Sequence, residues 1–136
     1  VSRVHVRVGI GAEHYALPVD RVLEVAELGD VTPLPGSPPQ VIGVCNLRGQ
    51  VIPVMDLARV LDLPQGEPER IVVAELGERR AGLAVDAVID VGELPEASEQ
   101  VDSPFMSGAV LIEGVLVGML DADAVLSSVG PLEPQV

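Results

Sequence analysis

Between Arg3 and Ile10, Val4, Val6, Val8 and Ile10 alternate with Arg3, His5, Arg7 and Gly9, the two-residue period of a strand with one buried face. On that period His5 faces water. Gly11 to Glu13 read as a turn and Tyr15 to Leu17 as a short returning strand. Val19 to Val25 fits either a turn of helix or a further strand, and periodicity leaves the choice open. Four prolines and a glycine between Val31 and Gln40 exclude an internal helix or a central strand, so this stretch is an exposed, stiffened connection. Val41 to Asn46 and Gln50 to Met55 predict a hairpin about Arg48 and Gly49, the glycine being free to take the positive φ of a tight turn. Pro53 lacks an amide hydrogen, which assigns its strand to an edge or a bulge. Asp56 reads as the N-cap of a short helix through Leu57, Val60 and Leu61. Leu63 to Glu69 form a linker. Strands near Arg70 to Leu76 and Arg80 to Asp86 follow, then a loop from Gly92 to Ser103 and a hairpin tipped by Glu113 and Gly114. A last helix from Ala122 to Leu126, capped by Asp121, ends at Gly130 and Pro131.

The pattern is written twice. A shift of 65 residues lays GVCNLRGQVIPVMDL, from Gly43, on GAVLIEGVLVGMLDA, from Gly108, matching Gly49 with Gly114, Asp56 with Asp121 and Val60 with Val125. A shift of 66 lays GAEHYALPVDRVLEV, from Gly11, on GERRAGLAVDAVIDV, from Gly77, matching Leu17 with Leu83, Asp20 with Asp86 and Val25 with Val91. Such a period is too long for a solenoid and too short for a comfortable independent domain. The duplication predicts an all-β chain of two small units sharing an apolar seam, approximately 1–63 and 70–129 of a single domain 1–136, with exchange of strands between them left open. Asp56 and Asp121 occupy one duplicated position, which assigns them to the fold rather than to catalysis.

Composition narrows the functions. The chain has 136 residues, 48% of them hydrophobic, enough for one core or two small ones in contact. Its 21 acidic residues against eight arginines and no lysine give a charge of -13, which opposes binding to nucleic acid or anionic lipid. Glu113 and Gly114 interrupt the most hydrophobic stretch short of a membrane span, so no direct membrane insertion is expected. Cys45 is the single cysteine and has no internal partner, which fits a reducing cytoplasm. Tyr15 and Phe105 are the only aromatics, so the core is aliphatic and sites that stack sugars, bases or flavins have almost nothing to be built from.

An enzyme would have to use Cys45, His5, His14 or the carboxylates. Cys45 lies in an apolar strand with Val110 as its counterpart, the setting of a buried, inert thiol. Neither histidine has a ligand-spaced companion, and no HExxH, CxxC or GxSxG occurs. Asp121 with Asp123, and Asp86 with Asp90, read as caps or solvated faces rather than glycosidase acids. No catalytic residue, cofactor or metal is expected. A groove for proline-rich peptides needs aromatic walls that this chain lacks.

The two hairpin tips differ instructively. Asn46, Leu47, Arg48 and Gly49 in the first correspond to Leu111, Ile112, Glu113 and Gly114 in the second. The glycine is kept for geometry, whereas the arginine becomes a glutamate, so folding such a hairpin requires no cation. Arg48 is thereby available for recognition: its planar fork is presented on a turn with little backbone entropy left to lose. The plainer alternative is a solvated arginine or an internal ion pair worth roughly 0 to 1 kcal/mol.

Taken with HYALPVDRVLEV, TPLPGSPPQVIG, RIVVAELGERRAGLAVDAVIDV and LDADAVL, the run NLRGQVIPVMDL closely resembles the CheW chemotaxis coupling proteins and their domain relatives, over nearly the whole chain and in order. The resemblance implies two five-stranded, SH3-like β-barrels packed about a hydrophobic seam. It further implies a cytoplasmic, non-catalytic adaptor joining chemoreceptor tips to the regulatory domain of the histidine kinase CheA. Arg48 falls on the arginine of the family's NLRG motif, associated with receptor binding, and Asn46, Leu47 and Gly49 complete that motif. Glu24, Val22 and Val25 fall on a segment that also contributes to receptor contacts. Their recurrence as Asp90, Val88 and Val91 leaves open a core role for the valines and a solvated one for Glu24. Kinase contacts follow barrel ends without a sharp motif. The loop from Gly92 to Ser107 is short for the family, and the tail SSVGPLEPQV lacks a long closing helix. These departures leave open a module of a pilus or other chemosensory-like pathway, or one domain of a CheV-type or kinase protein.

Overall fold

A computed structural model of the chain describes residues 2–128. In chain order the strands are β1 (Arg3–Ile10), β2 (Glu13–Pro18), β3 (Val22–Glu27), β4 (Val41–Leu47), β5 (Gln50–Asp56), β6 (Arg70–Leu76), β7 (Arg79–Val85), β8 (Ala87–Leu94), β9 (Met106–Ile112) and β10 (Val115–Leu120). Helices α1 (Leu57–Val60) and α2 (Ala122–Ser127) follow β5 and β10. The expected helix stop at Gly130 and Pro131 lies outside the described residues.

The strands form two five-stranded sheets, ordered β8-β1-β2-β10-β9 and β3-β6-β7-β5-β4; we call these the first and second barrel. Each draws strands from both repeats, so neither 1–63 nor 70–129 makes a sheet by itself. The repeat relates one barrel to the other: β1 and β2 correspond to β6 and β7, and β8, β9 and β10 to β3, β4 and β5. Short parallel pairings knit the halves, Val117 to Met119 against His14 to Ala16 and Val54 to Asp56 against Gly82 to Ala84.

Burial follows from this exchange. Val6, Val8 and Leu17 of the first barrel meet Val72, Leu83 and Val85 of the second in one shared aliphatic core. Leu57 of α1 and Val125 of α2 plug into it and are fully buried. Both helices start as their sequence demands: Asp56 Oδ1 accepts the Ala58 amide at 3.1 Å and Asp121 Oδ1 the Ala124 amide at 3.1 Å, relieving the open amides of a first turn. Smaller clusters fill each barrel, Ile52, Val54, Ile71 and Val73 in the second and Ala16, Val110, Val117 and Met119 in the first.

Two duplicated glycines have a steric reason. The chain leaving β3 crosses the outer edge of β4, where Thr32 and Val44 exchange backbone hydrogen bonds at 2.8 Å. The chain leaving β8 crosses β9 in the same way, Glu99 pairing with Ala109 at 2.9 Å. Gly43 and Gly108 adopt φ of 152° and 153° beneath these crossings. A Cβ on Gly43 would lie 2.1 Å from the Thr32 carbonyl oxygen, and one on Gly108 would lie 2.6 Å from that of Glu99, distances no side chain tolerates.

Four local expectations change. Val19 to Val25 contains both alternatives, a 3-10 turn over Val19–Arg21 and then β3. The supposed loop from Gly92 begins inside a strand, since β8 runs on to Leu94 against β1. Pro53 sits on neither an edge nor a bulge, because β5 lies between β4 and β7. Its missing amide is harmless there: its partner Val44 directs its backbone groups to Thr32, so the Val44–Pro53 pair exchanges no hydrogen bonds, and the ladder to β7 starts one residue later at Val54. Finally, His5 is buried, with 6% exposure. Alternation failed because β1 has covered faces on both sides, the seam and the barrel interior.

Candidate functional site

Leu47 pairs with Gln50 across a two-residue loop in which Arg48 and Gly49 have φ of 53° and 82°, the positive pair required by a type I′ hairpin turn. Glu113 and Gly114 repeat it at 48° and 81°. Asn46 closes the first turn by accepting the Gly49 amide on its Oδ1 at 2.9 Å, so Asn46 and Gly49 hold the tip in shape. Leu47 is half-buried and packs on the core of the second barrel. That leaves Arg48 as the projecting group, with 78% of its side chain exposed.

Its guanidinium reaches across the open side of the barrel to β3, where Nη1 donates to Glu24 Oε2 at 3.0 Å. A register shift in the β3–β6 pairing between Val22 and Glu24 explains why Glu24 points this way. The bulge lets Val22 and Val25, three residues apart, share the seam face and pack on the common core, while Glu24 opposite Val73 turns to the barrel side. The structure thus joins Arg48 to Glu24, uses Asn46 and Gly49 to shape the tip, and gives Leu47, Val22 and Val25 packing roles. Glu24 is three-quarters buried, and its Oε1 is enclosed without a hydrogen-bond partner.

The other barrel solves the same electrostatic problem differently. Asp90 occupies the place of Glu24, and its carboxylate takes Arg7 Nη2 at 3.0 Å. Arg7 comes from the neighbouring strand β1, and only 16% of its side chain is exposed. The carboxylate has an arginine partner in both barrels, but one cation is internal and the other stands on a turn at the surface.

A second difference between the tips escaped the sequence reading, although the repeat alignment contained its signal. Leu111 and Leu116 face each other across β9 and β10 and are 60% and 55% exposed. Their counterparts are Asn46 and Val51, so a hairpin of this shape does not require a leucine pair. Cys45 is buried, and burial pushes its thiol pKa up, away from the reactive thiolate. Among the described residues no group of histidine, cysteine, aspartate or glutamate could hold a metal ion, and no helix is long and apolar enough to cross a membrane.

Fold and site together define a β protein of two interlocked barrels whose hairpin tips present different groups. The CheW-like domain family matches residues 5–130, and the chain belongs to that family. It is 31% identical over 130 residues to the chemotaxis protein CheW of Rhizobium meliloti (strain 1021), covering 88% of this chain and 84% of the relative. It is 34% identical over 130 residues to the chemotaxis protein CheW of Thermotoga maritima, covering 88% of this chain and 85% of that one. The crystal structure of the scaffolding protein TtCheW from Thermoanaerobacter tengcongensis superimposes with a TM-score of 0.77 at 27% identity, over 89% of this chain and 85% of that chain. The expected double-barrel architecture is therefore the observed one.

Proposed function

We propose that the chain is a non-catalytic adaptor in chemotaxis signal transduction, coupling the cytoplasmic tip of a chemoreceptor to the regulatory domain of a CheA-type histidine kinase. The observation that carries this reading is the Arg48 guanidinium, 78% exposed on a rigid turn, where the other barrel has Glu113 and keeps its arginine inside. A hairpin without that cation folds, so the exposed charge serves recognition. One of its nitrogens holds Glu24; the others remain free to donate to the carboxylates or backbone carbonyls of a receptor helix. Asn46 and Gly49 position the tip, Glu24 orients the guanidinium, and Leu47, Val22 and Val25 support the site from beneath. For the kinase we assign a separate surface at the end of the first barrel, on the exposed Leu111 and Leu116 pair, since aliphatic contact without aromatics suits small interfaces strengthened by multivalent assembly.

Arg48→Ala tests the first surface. Titrated against a receptor-tip helical hairpin, the variant is expected to bind at least about tenfold more weakly, a loss of about 1.4 kcal/mol, with its thermal unfolding almost unchanged. Equal affinity for the parent and the variant would remove Arg48 from the receptor site.

A further inference from the structure

We infer that the mouth of the first barrel, lined by Pro95 to Ala97 just beyond β8, is a binding site for a small aliphatic ammonium compound. The repeat exposes it. His5 occupies the position that Ile71 holds in the second barrel: Ile71 pairs with Ala84 as His5 pairs with Pro18. Ile71 is 1% exposed within an aliphatic cluster and lies so tightly over β7 that a Cβ on Gly82 would meet its Cδ1 at 2.2 Å. The first barrel replaces that plug with an imidazole, and a cavity of about 290 Å³ opens beside it. This volume approaches the lower end of small-molecule sites, roughly 300 Å³.

The walls determine the chemistry. His5 Nδ1 stands 2.8 Å from the carbonyl oxygen of Arg3. A carbonyl only accepts, so Nδ1 donates to it, and in the tautomer protonated there alone Nε2 presents a lone pair. Ser107, which also lines the cavity, donates its hydroxyl to the Met119 carbonyl at 3.3 Å, which leaves its lone pairs available to accept. Glu96 adds a carboxylate on the exposed rim. Arg3 is the one cation in the lining, and its guanidinium is held by Asp20 at 3.3 Å. Leu94, Met119 and Leu120 supply an apolar wall.

Three acceptors above an aliphatic surface match an ammonium, which has three donors and no acceptor, on an alkyl stem that covers the wall. A carboxylate would instead meet the Nε2 lone pair and the Glu96 charge. A chain charge of -13 enriches cations at the mouth further. The inference stands apart from the adaptor reading, because the cavity is described by none of the residues assigned to partners.

The test is a titration of the full chain with n-butylammonium chloride at neutral pH and constant ionic strength, read from the ring resonances of His5 and His14. The His5 ring is expected to shift saturably, with half-saturation on the order of 1 mM, while the His14 ring stays in place. Butyrate and butanol should bind at least about fivefold more weakly, and Glu96→Gln should weaken butylammonium at least about threefold. His5→Ile, which copies the other barrel, should abolish saturation transfer to the ligand methyl group. A thermal melt establishes whether that variant is folded; if it is not, the exposed Glu96→Gln variant decides. Absence of a saturable His5 shift, butyrate binding as tightly as butylammonium, or Glu96→Gln binding like the parent would overturn the assignment.

Discussion

Arg7 and Arg48 neutralise carboxylates at equivalent places, yet one comes from an adjacent strand and the other from a turn. An exposed pair of the second kind contributes roughly 0 to 1 kcal/mol, so the contact with Glu24 orients Arg48 more than it stabilises the barrel. Arg48→Glu alone would set two carboxylates together. Combined with Glu24→Arg it restores opposite charges within the fold while moving the cation off the tip. The double variant is expected to melt within a few degrees of the parent and still fail to bind receptor tips; recovery of binding would show that the pair, and not the projecting cation, is recognised. A second residue carries a pH signature. Burial, then the hydrogen bond to Glu13, then the Glu13 charge all raise the Tyr15 pKa above its ordinary value. A folded-state pKa above the unfolded one stabilises the fold fully below the unfolded value and is lost as pH rises, here above about pH 10. The urea midpoint should fall over that range, and less steeply in Tyr15→Phe; parallel curves would refute the linkage.

Among the elements, the crossings over Gly43 and Gly108 give the sharpest expectation. Gly43→Ala drives a methyl into the Thr32 carbonyl oxygen and should cost at least about 2 kcal/mol in chemical denaturation. Gly49→Ala has open space at the added methyl and should be milder, limited by its positive φ. A Gly43→Ala variant as stable as the parent would mean that the crossing is not held down. Elements fixed by neighbours in sequence were legible beforehand: the Arg48–Gly49 turn needs two residues with positive φ, and Asp56 and Asp121 needed only a following helix to cap. What sequence left hidden depends on distant partners. Pro53 looked like an edge residue because its harmlessness derives from Thr32, twenty-one positions earlier. His5 looked solvated because alternation cannot say that both faces of β1 are covered. The strand at β8 stayed hidden for the same reason as β3, because its repeat mates Val22 and Val25 lie in a segment whose period fits helix or strand alike. Of the candidate site, the projection of Arg48 from a tight turn could be read from the mismatch between repeats, whereas the Arg48–Glu24 contact could not, because it depends on a bulge in β3 and on the two ends of one sheet approaching each other.

For the whole molecule, strand exchange makes the duplicated halves interdependent. Separating the chain between Gly66 and Glu67 leaves each fragment without the strands that complete either sheet. Neither fragment should unfold cooperatively by itself, and mixing them should restore the β signal in circular dichroism and a single melting transition. Independent melting of one fragment would contradict the shared core. The same exchange would serve the proposed adaptor, because Val6 of one barrel and Val72 and Leu83 of the other share one aliphatic seam that ties the two barrels together.

The backbone crossings at Thr32 and Glu99 also act as guards. β4 and β9 would otherwise each offer a bare row of amides and carbonyls beside valines and leucines, the template on which aliphatic sheets stack into fibrils. By pinning its own chain across the middle of each row, at Val44 and at Ala109, the molecule interrupts the template on which copies of itself would add, and loosening either crossing should be felt first as precipitation.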